Sequence, residues 1–139
     1  MQHSRVMSID YGEKRIGVAL SDEMQIIASQ SFVIHNSENA ITEILLQVKN
    51  NNVSKIVIGL PLTLKSKSSQ MTEQVTEFAK KITEQSIIDV VFWDERLTSK
   101  MAIGAIQQLG LKKKKRQEKS KIDELAATFI LQSYLDSKK

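Results

Sequence analysis

The stretch SIDYGEKRIGVALSD, residues 8–22, decides the fold. An apolar run ends at Asp10, a polar glycine turn follows, and residues 15–20 place apolar side chains at alternate positions. Alternation on both sides of a glycine turn is typical of a β-hairpin. Gly17 lies on the opposite face of the second strand, so another element can approach that face closely. Asp10 therefore ends a buried strand, where it either caps its own turn or faces a ligand.

Length and composition are those of a globular protein. With 139 residues, 41% of them hydrophobic and 26% charged, the chain predicts one domain over residues 1–139. No apolar run approaches the roughly 20 residues that cross a bilayer, and the N-terminus lacks the apolar core of a signal peptide. We expect a cytoplasmic protein with no membrane partner. Because cysteine is absent and the two histidines, His3 and His35, are not at ligand spacing, any metal would be a hard ion held by carboxylates, such as Mg²⁺ or Mn²⁺.

The positive charge is concentrated in one segment. Residues 112–121, KKKKRQEKSK, carry seven basic side chains and one acid, a net charge of +6 in a chain whose total is +4, so the remainder sums to −2. A basic block on a nearly neutral body favours a polyanionic partner, because phosphate contacts dominate affinity for nucleic acids. The alternative interpretation is a solvated linker that keeps the protein soluble.

The chain beyond the hairpin alternates strand and helix patterns. Strands are predicted at residues 28–35, 55–60 and 87–93, the last two as buried runs, and helices at 38–51, 70–84, 98–109 and from about 120 to the C-terminus. The first three strands can form an antiparallel meander, whereas the last two need crossover helices and so run parallel. We therefore predict an α/β fold, a mixed five-stranded sheet flanked by helices.

Three acids stand where these elements would bring them together. Asp10 ends the first strand, Glu95 directly follows the last strand, and Asp123 lies one residue off the apolar stripe of the final helix. Carboxylates that meet at strand ends repel one another unless a cation neutralises them. A divalent-metal site explains all three acids, and such ions can hydrolyse a phosphodiester. Taken singly, Glu95 could instead form a surface ion pair and Asp123 could stabilise the helix dipole.

Four ordered motifs, IDYGEKRIGVALSD, IVIGLPL, DERLTS and KIDELAATFILQ, resemble those of the YqgF (RuvX) family of ribonuclease-H-like proteins. The resemblance covers nearly the whole chain and implies a ribonuclease H-like five-stranded sheet. It also implies a nuclease that helps to process the 5′ end of pre-16S ribosomal RNA; the family was earlier proposed to resolve Holliday junctions. By motif, the metal ligands and catalytic acids would be Asp10, Glu95 and Asp123.

The loop after Pro61 departs from the family pattern. The family usually has an acidic-glycine element there, whereas residues 62–69 contain neither an acid nor a glycine. A backbone phosphate cradle is therefore not expected in this loop. Lys65 and Lys67 could still bind phosphate through their side chains.

The leading hypothesis is a metal-dependent nuclease that acts on structured RNA, a pre-rRNA, as a monomer or weak homodimer. The residues expected to bind nucleic acid are basic: Lys14, Arg15, Lys65, Lys67, Arg96, Lys112, Lys113, Lys114, Lys115 and Arg116. One alternative is a resolvase of branched DNA with the same site, which would need a dimer to cut two strands. A second is a non-catalytic nucleic-acid-binding factor in ribosome assembly or transcription. Phosphotransfer of the actin-like kind would need two lobes, and the chain has length for one.

Overall fold

The computed structural model describes residues 3–60, 68–94 and 116–138. The elements in chain order are β1 Arg5–Asp10, β2 Arg15–Ser21, β3 Ala28–His35, α1 Ala40–Asn50, β4 Val53–Leu60, α2 Ser68–Gln85, β5 Asp89–Asp94 and α3 Arg116–Ser137. The helix predicted at residues 98–109 lies outside the described residues. Among the described helices, none is both long enough and apolar enough to cross a membrane.

The five strands form one mixed sheet in the order β3-β2-β1-β4-β5. β1, β2 and β3 are antiparallel neighbours, whereas β4 runs parallel to β1 and β5 runs parallel to β4. This confirms the predicted arrangement of three antiparallel strands followed by two parallel ones. Because β1, β4 and β5 run in the same direction, Asp10, Leu60 and Asp94 all end at one edge of the sheet, which we call the carboxyl edge.

Each face of the sheet has its own core. On one face, α1 and α2 cover a cluster that includes Met7, Ile9 and Ile58. On the other face, α3 covers Val6, Ala19 and Val57 with its own apolar side chains. The alternation of β1 therefore separates its side chains between two helical layers. Asp10, which follows Val6 and Ser8 at even positions, belongs to the α3 face.

The last strand is less buried than its apolar sequence predicts. The run at residues 87–93 was expected to form a buried strand, but β5 begins at Asp89, and Ile87 before it is fully exposed. Phe92 is 43% exposed. The reason is that β5 has a neighbour on one side only, among the described strands. A β-branched apolar run predicts a strand but does not distinguish a central strand from an edge.

Gly17 is the point at which α3 rests on the sheet. A Cβ atom on Gly17 would lie 2.8 Å from the carbonyl carbon of Asp123 and 3.4 Å from the Cβ of Ala127. Nearby, the buried Ser8 Oγ donates a hydrogen bond of 2.6 Å to the carbonyl oxygen of Ala127. The expectation that another element approaches the Gly17 face is confirmed, and that element is the helix backbone. Any larger residue at position 17 would lift α3 from β2.

Asp22 organises the loop between β2 and β3. Its Oδ1 accepts hydrogen bonds from the backbone N–H groups of Ile26, at 2.7 Å, and Ile27, at 2.9 Å. Its Oδ2 accepts one from the N–H of Met24 at 3.2 Å. Burial by itself would raise the pKa of the Asp22 carboxyl, but these N–H donors stabilise the ionised form, and the pKa is lowered overall. The loop conformation therefore depends on a charged Asp22.

We predict that Gly17→Ala lowers the free energy of unfolding by about 1–3 kcal/mol, the usual cost of overpacking a close contact. Strand propensity alone would give the opposite sign, because glycine weakens a strand relative to alanine. Urea unfolding monitored by Trp93 fluorescence is the measurement, since this only tryptophan packs edge-to-face on Tyr134 of α3. Gln30→Ala, at an exposed position of β3, is the control. A neutral or stabilising Gly17→Ala would contradict the close contact.

We also predict that Asp22→Asn lowers the free energy of unfolding at pH 7 by about 1 kcal/mol, because hydrogen bonds to a charged acceptor are stronger than those to a neutral one. The pKa of the Asp22 carboxyl in the folded protein lies below that of an ordinary aspartate. The stabilisation is therefore fully present above the pKa of the unfolded chain and is lost as the pH falls through the folded pKa. Urea unfolding at pH 7, 5 and 3 should show the difference between wild type and variant shrinking at low pH.

The matched control for Asp22→Asn is Glu23→Gln. Glu23 lies next in sequence, and its exposed carboxylate contacts Arg5 at 3.4 Å. The control should cost at most about 0.5 kcal/mol, as expected for a surface charge. Equal losses in the two variants, or a loss for Asp22→Asn that does not depend on pH, would contradict the assignment.

Candidate active site

Asp10 stands at the carboxyl edge, at the end of β1. It is half-buried, and it lies directly opposite Gly17 of β2 in the antiparallel register. Residues paired in this way point to the same face of a sheet. Asp10 therefore occupies the α3 face beside Gly17, which the helix backbone approaches closely.

Asp123 reaches the same place from α3. Its backbone carbonyl lies over Gly17, and Gly17 is the cross-strand partner of Asp10. The structure thus brings two of the three predicted acids to adjacent positions at one strand end, although 113 positions separate them in the sequence. Neither the hairpin sequence around Asp10 nor the helix sequence around Asp123 predicts this proximity by itself. It arises because α3 docks on the hairpin.

Arg15 forms an ion pair with Asp123. Its Nε donates to Asp123 Oδ2 at 2.8 Å, and the two side chains are 32% and 24% exposed. Sequence reasoning assigned Arg15 to nucleic-acid binding and did not anticipate this contact. The available signal was the face of the strand: Arg15 and Gly17 are two positions apart in β2, so they face the same helix. One acid of the site is therefore already partly neutralised by a cation.

Lys14 is an exposed residue of the β1–β2 turn, close to the carboxyl edge. The turn is fastened to the end of β3: the N–H of Asn36 donates to the carbonyl oxygen of Lys14 at 2.9 Å. In addition, Asn36 Nδ2 donates to the carbonyl oxygen of Gly12 at 2.8 Å. Lys14 is consequently presented to solvent from an anchored turn.

The remaining predicted site residues cannot be placed. β5 ends at Asp94, which lies level with Leu60 of β4, and the third predicted acid, Glu95, follows it outside the described residues. Arg116 begins α3, and its backbone alone is described. The other predicted basic residues also lie outside the described residues: Lys65, Lys67, Arg96, Lys112, Lys113, Lys114 and Lys115.

The described residues supply some of the donor atoms that a hard divalent ion requires. Asp10 and Asp123 offer carboxylate oxygens, the ligands that Mg²⁺ and Mn²⁺ prefer. No cluster of three or more His, Cys, Asp or Glu side chains suited to a metal occurs within residues 3–60, 68–94 and 116–138. The described residues therefore supply two carboxylates of such a site, one of which also contacts Arg15.

Comparison with known proteins places this arrangement in a family. Residues 4–137 match the family model described as "RuvX: Holliday junction resolvase". The chain is 42% identical over 135 residues to a protein of Sulfurihydrogenibium sp., covering 96% of this chain and 90% of the relative. It is 43% identical over 138 residues to one of Flavobacterium psychrophilum, covering 96% and 98%. Both relatives are named "Putative pre-16S rRNA nuclease".

The fold has a counterpart among solved structures. RuvC of T. thermophilus, in complex with a Holliday junction substrate, superposes with a TM-score of 0.62 at 14% identity, covering 97% of this chain and 96% of RuvC. At that identity the likeness concerns the fold, which is the RuvC-like ribonuclease H fold predicted from the four motifs. With a family match over residues 4–137 and relatives above 40% identity over nearly the full length, the chain belongs to the RuvX family.

Proposed function

We propose that this protein is a metal-dependent nuclease that hydrolyses phosphodiester bonds in structured RNA, in the maturation of the 5′ end of pre-16S rRNA in the cytoplasm. The observation that carries the proposal is the close approach of the Asp123 backbone to Gly17, which is the cross-strand partner of Asp10 at the carboxyl edge. The RuvC-like fold and the names of the relatives support the same chemistry.

In this proposal Asp10 and Asp123, with Glu95 as the third acid, hold Mg²⁺ or Mn²⁺. Such an ion, when bound, supplies Lewis acidity for attack by water and for the departing oxygen. Before the metal binds, Arg15 orients the Asp123 carboxylate through its 2.8 Å hydrogen bond. No side chain of the described site is required as a nucleophile.

Positive side chains around the acids would position the RNA backbone. Lys14 projects from the anchored turn next to Asp10, and Arg15 has further N–H donors besides the Nε that contacts Asp123. Further phosphate contacts along the RNA strand would come from the other predicted basic residues: Lys65, Lys67, Arg96 and those at 112–116. Phosphate contacts of this kind fix the position of the substrate without reading its sequence.

One alternative substrate has an observation in its favour. The RuvC structure with the same fold was solved with a Holliday junction, and the family description names junction resolution. The same acids would then cut branched DNA. Two symmetric cuts would require a dimer, whereas the RNA substrate requires only a monomer or a weak homodimer.

The central prediction is that Asp10→Asn reduces cleavage of a pre-16S rRNA fragment by about 100-fold or more, because losing a metal ligand costs at least as much as losing a residue that supports one. Purified wild type and variant would be incubated with the RNA and, separately, with a four-way DNA junction, in Mn²⁺, Mg²⁺ or EDTA. Asp89→Asn, whose carboxylate is 62% exposed at the start of β5, is the matched control.

Each outcome separates the candidate functions. Cleavage of RNA by wild type and Asp89→Asn alone, abolished by EDTA, supports the proposal. Cleavage confined to the junction moves the substrate to DNA. If neither substrate is cut and Asp10→Asn binds RNA as wild type does, the nuclease proposal is wrong and a non-catalytic binding role replaces it. The loop after Pro61 lacks the acid and the glycine that are usual in the family. The last outcome therefore tests whether catalysis is retained without them.

Arg15→Gln should change metal and RNA binding in opposite directions. Arg15 competes for an oxygen of Asp123 and repels a divalent cation, so the variant should bind Mn²⁺ more tightly, by up to about fivefold for a partly exposed pair. Its affinity for RNA should fall, because a cation is lost from the phosphate surface. Isothermal titration with Mn²⁺ alone and RNA binding in EDTA measure the two effects.

Lys14→Gln is the matched control for Arg15→Gln. It removes a neighbouring positive charge whose side chain is exposed in the turn. RNA binding should weaken in both variants, whereas tighter Mn²⁺ binding should occur in Arg15→Gln only. Weaker Mn²⁺ binding by Arg15→Gln would show that orienting Asp123 outweighs competition for its oxygen.

A further inference from the structure

A second concave site opens on the other face of the sheet. A pocket of about 730 Å³ lies between α1 and α2, on the face opposite α3. It is lined by Tyr11, Ile41, Glu73, Gln74, Glu77 and Phe78, among others. Its volume falls within the range that accommodates small organic ligands. Tyr11 directly follows Asp10, so the pocket begins at the same strand end as the candidate active site.

The wall of the pocket nearest the acids is aromatic. The rings of Tyr11 and Phe78 lie with their centroids 4.9 Å apart and their planes inclined by 54°. Phe78 is almost fully buried, whereas Tyr11 retains partial exposure. An exposed aromatic ring at a pocket wall offers a surface on which a planar ligand can stack.

A buried acceptor accompanies the aromatic wall. Gln74 Oε1 is buried and has no hydrogen-bond partner among the residues that the structure describes. A buried acceptor without a donor is costly, so native proteins rarely leave one unsatisfied. The terminal amide torsion of glutamine has a broad profile, and rotation about it can turn the oxygen toward a ligand N–H group.

The described charges around the pocket are mostly negative and favour a neutral donor over a phosphate. Of the residues that the structure describes, Glu38, Glu73 and Glu77 line the pocket, with Lys81 as the one cation among them. That balance disfavours a nucleic-acid backbone. A nucleobase is neutral and planar, and each of the four bases carries at least one N–H donor on its pairing edge.

We propose that this pocket binds one unpaired nucleobase of the strand that is cut at Asp10; the inference rests on the proposed function. Adjacent Cα atoms are only about 3.8 Å apart, so a strand whose phosphate lies at Asp10 can place the neighbouring base over Tyr11. The base stacks on Tyr11 and donates to Gln74. Because a paired base has its donors occupied, the pocket selects strands with an unpaired nucleotide beside the scissile bond.

The test uses a set of short single-stranded RNAs, each of which lacks the base at one position. Their dissociation constants are measured by fluorescence anisotropy in EDTA and compared with that of the intact RNA. In wild type, one position should weaken binding by about tenfold when its base is removed, the usual contribution of one stacked base. Gln74→Met keeps the shape of the side chain and removes the acceptor, and Tyr11→Leu removes the flat ring. Both variants should reduce this loss to about threefold or less while binding the abasic RNA as wild type does.

Gln30→Met, the same substitution on an exposed position of β3, is the matched control and should retain the full tenfold effect. Equal losses at all positions, equal behaviour of Gln74→Met and Gln30→Met, or no binding of RNA would overturn the proposal. The proposal would also be overturned, in favour of a basic partner, by a second result. In that result an oligolysine peptide binds wild type but not Glu73→Gln, and removing a base from the RNA has no effect at any position.

The design separates this inference from the nuclease proposal. If binding in EDTA depends on one base but no cleavage occurs in Mn²⁺, the base-binding pocket is supported and the nuclease proposal is wrong. If cleavage occurs but no single base matters for binding, the nuclease proposal is supported and the pocket proposal is wrong.

Discussion

The close contact between Gly17 and the backbone of α3 determines where the acids of this protein lie. The helix passes so near β2 that the contact leaves no room for a Cβ atom at position 17. Ser8 fixes the approach by donating to the Ala127 carbonyl oxygen in the buried layer beneath the helix. With the backbone docked there, Asp123 stands beside Asp10, and Arg15 can reach the Asp123 carboxylate. A looser helix would separate the two acids.

Side chains at the end of β1 lie in two different environments because they alternate between the two faces of the sheet. Asp10 lies on the α3 face, opposite Gly17, whereas Tyr11 lines the pocket between α1 and α2 and contacts Phe78. Charge and hydrogen bonding dominate the first side, and an aromatic wall with an unsatisfied amide dominates the second. A nucleotide has the same division between its charged phosphate and its flat, neutral base. In the proposed function, this strand end would present a separate environment to each part of a nucleotide.

The sequence predicted the hairpin, the antiparallel and parallel directions of the strands and the approach to Gly17, because each depends on local pattern and on short connections. It also placed Asp10 and Asp123 at elements that meet. It could not predict that Arg15 contacts Asp123, since that pair spans 108 positions and depends on how α3 is rotated. The exposure of Phe92 was missed because an apolar run does not reveal an edge strand. The α1–α2 pocket was missed because a space between two helices leaves no local signature in the sequence.

The strength of the Arg15–Asp123 pair bears on how the site can function. Both side chains are partly exposed, and ion pairs of this kind contribute roughly 0–1 kcal/mol, because water screens the charges and ordering the side chains costs entropy. In the proposed function, such a pair would be strong enough to orient Asp123 in the metal-free site and weak enough for a divalent cation to displace. The displaced guanidinium would remain at the carboxyl edge beside Lys14, where a phosphate would become its next partner. The same residue can thus hold an acid in place and then bind the substrate that the acid serves.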